Sequence, residues 1–385
     1  MDGGRSEVTI NSPTGTLNDR KSQLNDRIEQ KPLAIHFLMP SLNLLLLYAS
    51  AMRPHSKYIG LILIALAALI IYLDWTGDRH SGPLLSDLRT LPIETRGQPS
   101  QRGNLLGIEA RLMPADYQSR ERLTLKFTTY LDQARAAGLL NARTVVVLPE
   151  HVGTGLFALG EKPEVQQART LRDAMQWMAL SNPWDYLRAL RGNKGDDRRT
   201  EAALKIKGQQ MAEDYQFIFG NLAREYGITL VAGTIVLPEP RLEQGRLLTG
   251  KGPLRHISLS FKPDGEPVEV PQYKSILNTY ERRYSGESQA STLAKPTPAG
   301  HIAVMIGCDG YQRRPPPDTE VIAIIGAPED PATTCFIDTL ESALPRVEVR
   351  SLGLPWNLAG SPHRPMHHHH NLPVRMHNLW LPERP

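Results

Sequence analysis

A layered α/β fold is what this 385-residue sequence predicts, and three observations predict it. The runs Thr144-Val-Val-Val-Leu148 and Ile302-Ala-Val-Met-Ile306 are short and continuously apolar, as strands buried on both faces are. Other stretches carry apolar residues at helical spacing, such as Leu123, Phe127, Tyr130, Leu131 and Ala134. A hairpin pattern interrupts the alternation: His256 to Phe261, a turn at Pro263-Asp-Gly265, then Val268 to Tyr273. Alternation with an interposed hairpin points to a layered α/β fold and away from a purely doubly wound sheet. Hydrophobic content of 41% against 22% charged residues is that of a chain with a core. The balance of 44 basic and 40 acidic residues, with no long basic run among aromatics, argues against a nucleic-acid partner.

Residues 1–31 are polar and without apolar periodicity, which predicts a solvated tail. Residues 32–75 read as one or two membrane segments. Pro32 to Ala51 is apolar but contains His36, Pro40 and Asn43, whereas Tyr58 to Trp75 is cleaner. A span needs about 20 apolar residues, and the second run just reaches the lower limit of about 17. Tyr58, Tyr72 and Trp75 sit where an interfacial aromatic belt belongs. No small-residue cleavage site follows closely, so an uncleaved anchor is expected, with a buried core helix as the competing reading. Arg53 and Lys57 precede this run and Asp74 and Asp78 follow it. The positive-inside rule then puts everything after Trp75 outside the cytoplasm, although Arg27 and Lys31 leave the number of crossings open.

Residues 76–102, rich in Gly, Pro and Ser, have the composition of a linker. Beyond them come a strand over Asn104–Arg111 and a helix over Tyr117–Gly138 that ends at a glycine. A strand over Thr144–Leu148 leads into Pro149-Glu150. Helical stretches follow from Leu171 to Leu190, broken near Asn182-Pro183, and from Thr200 to Tyr226, then a strand from Ile228 to Leu237. The hairpin delivers Lys274, and the strand starting at His301 ends at Gly307-Cys308-Asp309.

Glu150, Lys274 and Cys308 thus stand at three strand ends, where chemistry collects in open α/β sheets. Taken singly they have ordinary readings: a helix-start carboxylate, a solvated lysine, a small buried hydrophobe. Together, in this order, they suggest a site. Cys308 and Cys335 are the two cysteines; one disulfide between them is open, though two cysteines do not make a disulfide framework.

The segments Val145-Val-Val-Leu-Pro-Glu150, Val231-Ala-Gly-Thr-Ile-Val236, Phe261-Lys-Pro-Asp-Gly265, Tyr273-Lys274 and Ile302-Ala-Val-Met-Ile-Gly-Cys308-Asp309 resemble the carbon–nitrogen hydrolase, or nitrilase, superfamily. The resemblance implies a four-layer αββα sandwich over residues 103–311 and a catalytic Glu150, Lys274 and Cys308. Glu150 would be the general base, Cys308 the nucleophile forming a thioester, and Lys274 the charge facing the oxyanion. Glu281, seven residues after Lys274, matches a second glutamate of that family, and Asp309 directly follows the nucleophile; both are supporting residues. No metal or cofactor is implied. The substrate would be an amide, a nitrile or an acyl donor, and a homo-oligomer is plausible by analogy.

The apolar run is similar to those of apolipoprotein N-acyltransferases and related conjugal-transfer proteins. That implies an inner-membrane anchor with the catalytic domain on the periplasmic side. Residues 312–385 depart from the family pattern. Tyr311-Gln-Arg-Arg-Pro-Pro-Pro-Asp318 cannot continue a helix. Strands are expected over Glu320–Ala327 and Val347–Leu352, a helix over Ala332–Leu344, and an irregular Pro- and His-rich tail at the end. An altered reading frame or degraded gene after Tyr311 would explain the departure, and translating the other two frames tests it. His367 to His370 would suit Zn²⁺ or Ni²⁺ as a ligand set, against the plainer reading of a tract without fixed geometry. The functional expectation is a membrane-anchored hydrolase or acyltransferase acting on carbon–nitrogen bonds. Its alternatives are a small-molecule nitrilase or amidase, and a catalytically inactive membrane-tethered assembly protein.

Overall fold

The computed structural model describes residues 54–79, 87–193, 195–268, 270–290, 293–336, 343–365 and 373–383. The expected tail over 1–31, the first apolar run and the tract His367–His370 lie outside them. Two units are described separately, divided at Trp75 and Thr76. Helix α1, Pro54–Gly77, is apolar all round and largely exposed from Tyr58 onward, as the unbroken Leu, Ile and Ala run dictates. It is long and apolar enough to cross a membrane. Tyr72 and Trp75 stack near its end with ring centroids 6.1 Å apart.

The remaining residues make a mixed α/β unit around two facing sheets. The first sheet takes β1 (Glu94–Arg96), β2 (Asn104–Glu109), β3 (Thr144–Val147), β4 (Thr229–Val231), β9 (Ser260–Phe261) and β15 (Arg375–Trp380). Their order is β1-β15-β2-β3-β4-β9, with β2, β3 and β4 parallel. The second sheet takes β11 (Lys295–Thr297), β12 (Gly300–Ile306), β13 (Val321–Ile325) and β14 (Arg346–Val349), the last three parallel. Side chains from both sheets fill the space between them: Leu105, Val145, Val147 and Val231 meet Val304, Ala323, Ile325 and Val349. Continuous β-branched runs make this dry layer. Gly107 lets β14 approach, since a side chain there would meet Val347 and Val349 methyls within 3 Å.

The outer face of the first sheet is covered by α2 (Arg120–Ala136) and α6 (Arg198–Tyr226), which bury Phe127, Tyr130, Tyr215, Phe219 and Leu222 against Leu106, Ile108, Val146 and Leu230. Ser119 caps α2 by accepting from Arg122 N–H, and Asp197 caps α6 by accepting from Thr200 N–H. Gly227, at φ 63°, ends α6 in the left-handed conformation that glycine adopts without strain. Shorter helices α3 (Pro163–Gln167), α4 (Leu171–Ser181) and α5 (Pro183–Gly192) pack nearby, the last two meeting at Asn182 as expected of the Asn182-Pro183 break.

Four full layers are not what the described residues build. The outer face of the second sheet, Ala303, Met305, Ile322 and Ile324, meets a small cluster of Tyr311, Ala327 and Cys335. Its helices are single turns, α7 (Asp309–Gln312) and α8 (Pro331–Cys335). Pro315 to Pro317 leave no backbone donors with which to extend α7. A cavity of about 700 Å³ opens there, lined by Ala303, Met305, Gln312 and Pro315 among others.

Four further expectations change. The strand predicted over Ile228–Leu237 is two, because Gly233 (φ 66°) turns the chain: β4 stays in the first sheet and β5 (Ile235–Pro238) pairs with β8 (Leu254–Ser258). The hairpin partner of β8 is β10 (Gln272–Tyr273), and a small hairpin of β6 (Arg241–Glu243) and β7 (Arg246–Leu248) stands apart. The supposed linker carries β1, and the supposed irregular tail carries β15, so neither 102 nor 311 is a boundary of the compact unit 76–385. The tail folds because Met376, Asn378 and Trp380 alternate inward, although Arg375, His377 and Asn378 dilute the apolar signal. The helix expected over Ala332–Leu344 is described only as α8; Phe336 turns left-handed at φ 50° and ends it, and residues 337–342 lie outside the described set.

Candidate active site

Each of the two strand-end loops carries one charged group inward. After β3, Leu148-Pro149-Glu150 leads to His151, whose left-handed φ of 60° is held by its N–H donating to Thr234 Oγ1 at 2.7 Å. Gly326 (φ 72°) makes room for the Glu150 carboxylate, which any side chain there would overlap. After β10, the Lys274 N–H donates to the His256 carbonyl at 3.0 Å, aiming the lysine into the same space.

The Lys274 ammonium bridges two carboxylates. It donates to Glu150 Oε1 at 2.8 Å and Glu281 Oε1 at 2.7 Å, and all three residues are buried. Burial works against the ammonium, but Glu150 and Glu281 outweigh it and hold the pKa above the ordinary lysine value. Burial also works against the Glu281 carboxylate, yet the Lys274 charge and the histidines beside it hold its pKa well below the usual range. Asn278 N–H donates to Glu281 Oε2 at 2.8 Å, and His151 Nε2 lies 3.3 Å from Oε1. Burial, with His151 and Lys274 adding to it and Glu281 offsetting part, pushes His256 down to about 3, so its ring is neutral at pH 7. Donor atoms of Glu150, His151, His256 and Glu281 lie within 4.8 Å of one another, a spacing suited to a metal ion. The cation that these carboxylates hold is the Lys274 ammonium.

The loop after β12 supplies the third position. Gly307 turns at φ 56° with its N–H on the Ile325 carbonyl at 2.7 Å. A side chain at 307 would meet Lys274 Cε at 3.2 Å and Nζ at 3.4 Å, so the lysine head lies against this turn. Asp309 fastens the turn to the segment after Lys274, accepting from Ser275 N–H at 2.7 Å, Ser275 Oγ at 2.6 Å and Ile276 N–H at 3.1 Å. Cys308 itself is not a free thiol. It is bonded to Cys335, whose Cα is 5.3 Å away, and its sulfur packs with the outer-face cluster. Cys335 is delivered by α8, which Asp330 caps, and Gln312 donates to the Cys335 carbonyl.

Glu150, Lys274 and Glu281 are therefore brought together, Asp309 anchors the neighbouring turn, and Cys308 stands at that turn in oxidised form. Sequence reading missed His151 and His256. His151 directly follows Glu150, and that adjacency was the available signal. His256 sits mid-strand and gives none.

No protein-family model matches the chain, and no curated protein matches it. Solved structures do. A carbon–nitrogen hydrolase from Helicobacter pylori G27 is 14% identical with a TM-score of 0.34, over 58% of this chain and 59% of that one. An amidase from Nesterenkonia sp. is 10% identical at 0.39, over 66% and 78%. A cysteine-to-serine mutant of the Nesterenkonia AN1 amidase, from the nitrilase superfamily, is 10% identical at 0.40, over 66% and 79%. The chain spans less than two thirds of the Helicobacter pylori enzyme's length. Identity at this level, with TM-scores of 0.40 or less, says nothing about what this chain acts on.

Proposed function

We propose that this chain is a cysteine-dependent enzyme acting on carbon–nitrogen bonds, with Cys308 stored as a disulfide and competent once reduced. The observation that carries the reading is the buried Lys274 ammonium, bridged between Glu150 and Glu281 and set against the turn that bears Cys308. A dithiol reductant breaks the S–S bond and leaves two thiols. Glu150 then accepts the Cys308 proton, and the sulfur attacks the amide carbon. The oxyanion faces the third N–H of Lys274, since the other two are spent on carboxylates. Glu150 returns the proton to the departing amine as the C–N bond breaks, leaving a thioester. Water or an acceptor amine, activated by Glu150, attacks that thioester and the thiolate leaves.

Hydrolysis with water and acyl transfer to an amine share every step up to the thioester. Helix α1 supports a membrane-anchored form of this enzyme, and the disulfide agrees with an extracytoplasmic catalytic domain, where disulfides persist. The disulfide also favours a second reading, an inactive membrane-tethered assembly protein in which Cys308 and Cys335 merely staple the outer face.

An electrophilic amide or activated-ester probe, applied with and without a dithiol, separates the two. Catalysis requires labelling of Cys308 after reduction, at least about tenfold faster than Cys335, and lost in Glu150→Gln. Equal labelling of both cysteines, unchanged by Glu150→Gln, overturns the enzyme reading.

A further inference from the structure

Helix α5 keeps all ten of its residues at least partly open to solvent. At 3.6 residues per turn, Tyr186, Ala189 and Leu190 share the side turned to the core, and Tyr186 packs against it. Trp184, Leu187, Arg188 and Arg191 share the opposite arc, about 100° wide. Trp184 is 78% exposed and Leu187 48%, and both arginines are exposed as well. Single apolar residues scattered over a surface are ordinary. A tryptophan and a leucine on one helix face together with two arginines are the composition of helices that lie in a membrane interface. There the arginine stems cover apolar surface while their heads reach phosphate, and the indole belongs at headgroup depth.

What stands beside this helix says which surface it meets. The compact unit begins at Thr76, and its first residues are clamped at the N-terminal end of α5. Arg79 donates to Asn182 Oδ1 at 3.2 Å and to Glu161 Oε2 at 2.7 Å. Asn182, which precedes α5, donates to the same Glu161 oxygen at 3.4 Å, and the Lys162 ammonium donates to the Asp78 carbonyl at 2.6 Å. Glu161 and Lys162 are buried, so this clamp belongs to the interior of the unit. Gly77 ends the apolar helix α1 two residues before Arg79, a step of at most about 7 Å. Trp184 follows Asn182 by the same step. The chain therefore passes from a helix of membrane length into the unit beside the start of α5, where Trp184 is exposed.

We propose that α5 is an interfacial helix that docks on an anionic lipid bilayer, with Trp184 and Leu187 entering the headgroup layer and Arg188 and Arg191 on lipid phosphates. The inference rests on the membrane-anchored form given above and adds a second point of contact to it. A single tether leaves the unit free to rotate over the membrane, whereas a docked helix fixes which side of the unit faces the lipid. A second copy of the chain suits this face less well. A stable protein interface takes about 20–30 residues a side, and this arc offers Trp184, Leu187 and the two arginines. Asp185 pairs with Arg188 at 3.1 Å, an exposed ion pair that a lipid phosphate can replace at little cost.

The test uses the full-length protein in phosphatidylcholine vesicles with brominated acyl chains, prepared with and without phosphatidylglycerol. Subtracting the fluorescence of Trp184→Phe from that of the wild type isolates Trp184, and Trp75→Phe isolates Trp75 in the same way. Trp184 is quenched in the phosphatidylglycerol vesicles. Arg188→Glu combined with Arg191→Glu lowers that quenching at least about twofold, because each arginine near an anionic surface is worth about a factor of five in binding. Trp184 left unquenched while Trp75 is quenched overturns the docking. So does quenching that ignores both the phosphatidylglycerol and the charge reversal, or a Trp184 signal that follows protein concentration instead of lipid, as contact with a second copy would. An unquenched Trp75 would instead strike the membrane-anchored form, and Trp184 would still decide the role of α5.

Discussion

The two sheets share an inner layer but differ on their outer faces. Behind the first sheet lie two long helices, one of 29 residues, carrying Phe127, Tyr215 and Phe219 into a closed core. Behind the second, the described residues place two single helical turns, a triproline and a disulfide. The first face is held by apolar area removed from water. The second exposes less chain to packing and relies on a covalent cross-link. Stability and accessibility are thus divided between opposite sides of one molecule, and Cys308 belongs to the less covered side.

Truncations of equal kind break the symmetry of this comparison most. Phe219→Ala should cost about 3–5 kcal/mol in denaturant unfolding, whereas Met305→Ala, facing the cavity, should fall near the low end of about 2 kcal/mol. Equal losses would mean that the second sheet is covered as well as the first. Cys335→Ser, which opens a disulfide closing a loop of 27 residues, should cost about 3.5 kcal/mol by the loop-closure rule. Its effect should be local: amide exchange should quicken in β12 and α7 and stay unchanged in α6. Uniform loss of protection would deny that the two faces are separable.

Acid acts on the site between them. His256 has a folded pKa of about 3, below its unfolded value of 6.5, so between these values the unfolded chain binds the extra proton. Stability should therefore fall as pH drops from 6.5 toward 3, with a limiting slope of about 1.4 kcal/mol per pH unit. His256→Asn should flatten this limb in urea melts run across the range. His377 gives the opposite sign and a smaller effect. Its pKa is raised by Glu109, with burial opposing and Glu94 helping, so its contribution is complete below pH 6.5 and lost as pH rises through the folded value. His377→Gln should lower the melting temperature at pH 6 and leave it unchanged at pH 9.

How much of this was legible follows from how locally each feature is encoded. β3 and β12 were plain, since both faces are buried and nearly every residue is apolar. Glu150 and Lys274 could be placed at strand ends, but their meeting depends on the Gly233 turn and on β8 pairing with β10, which no short window contains. β15 escaped because its inward positions include Asn378, which pairs with Asn104 at 2.6 Å and needs no apolar residue. The disulfide was open in the sequence and undecided there, because a separation of 27 residues does not fix the Cα distance that bonding requires. His256 was hidden for the same reason as the lysine bridge: its partners Ser285 and Glu281 lie more than 20 residues away.

The place of β15 has a consequence for the order of synthesis. The strand between β1 and β2 comes last in chain order among the described strands, while both of its neighbours come first. Until it arrives, β2 presents an open edge with Asn104 unmatched by Asn378, and β1 has no partner in the sheet. The first sheet therefore cannot close before β15 has been made, and exposed strand edges of this kind invite other chains. Folding of this unit is tied to the arrival of β15, so a product interrupted before it keeps an unclosed edge that proteases and chaperones can recognise.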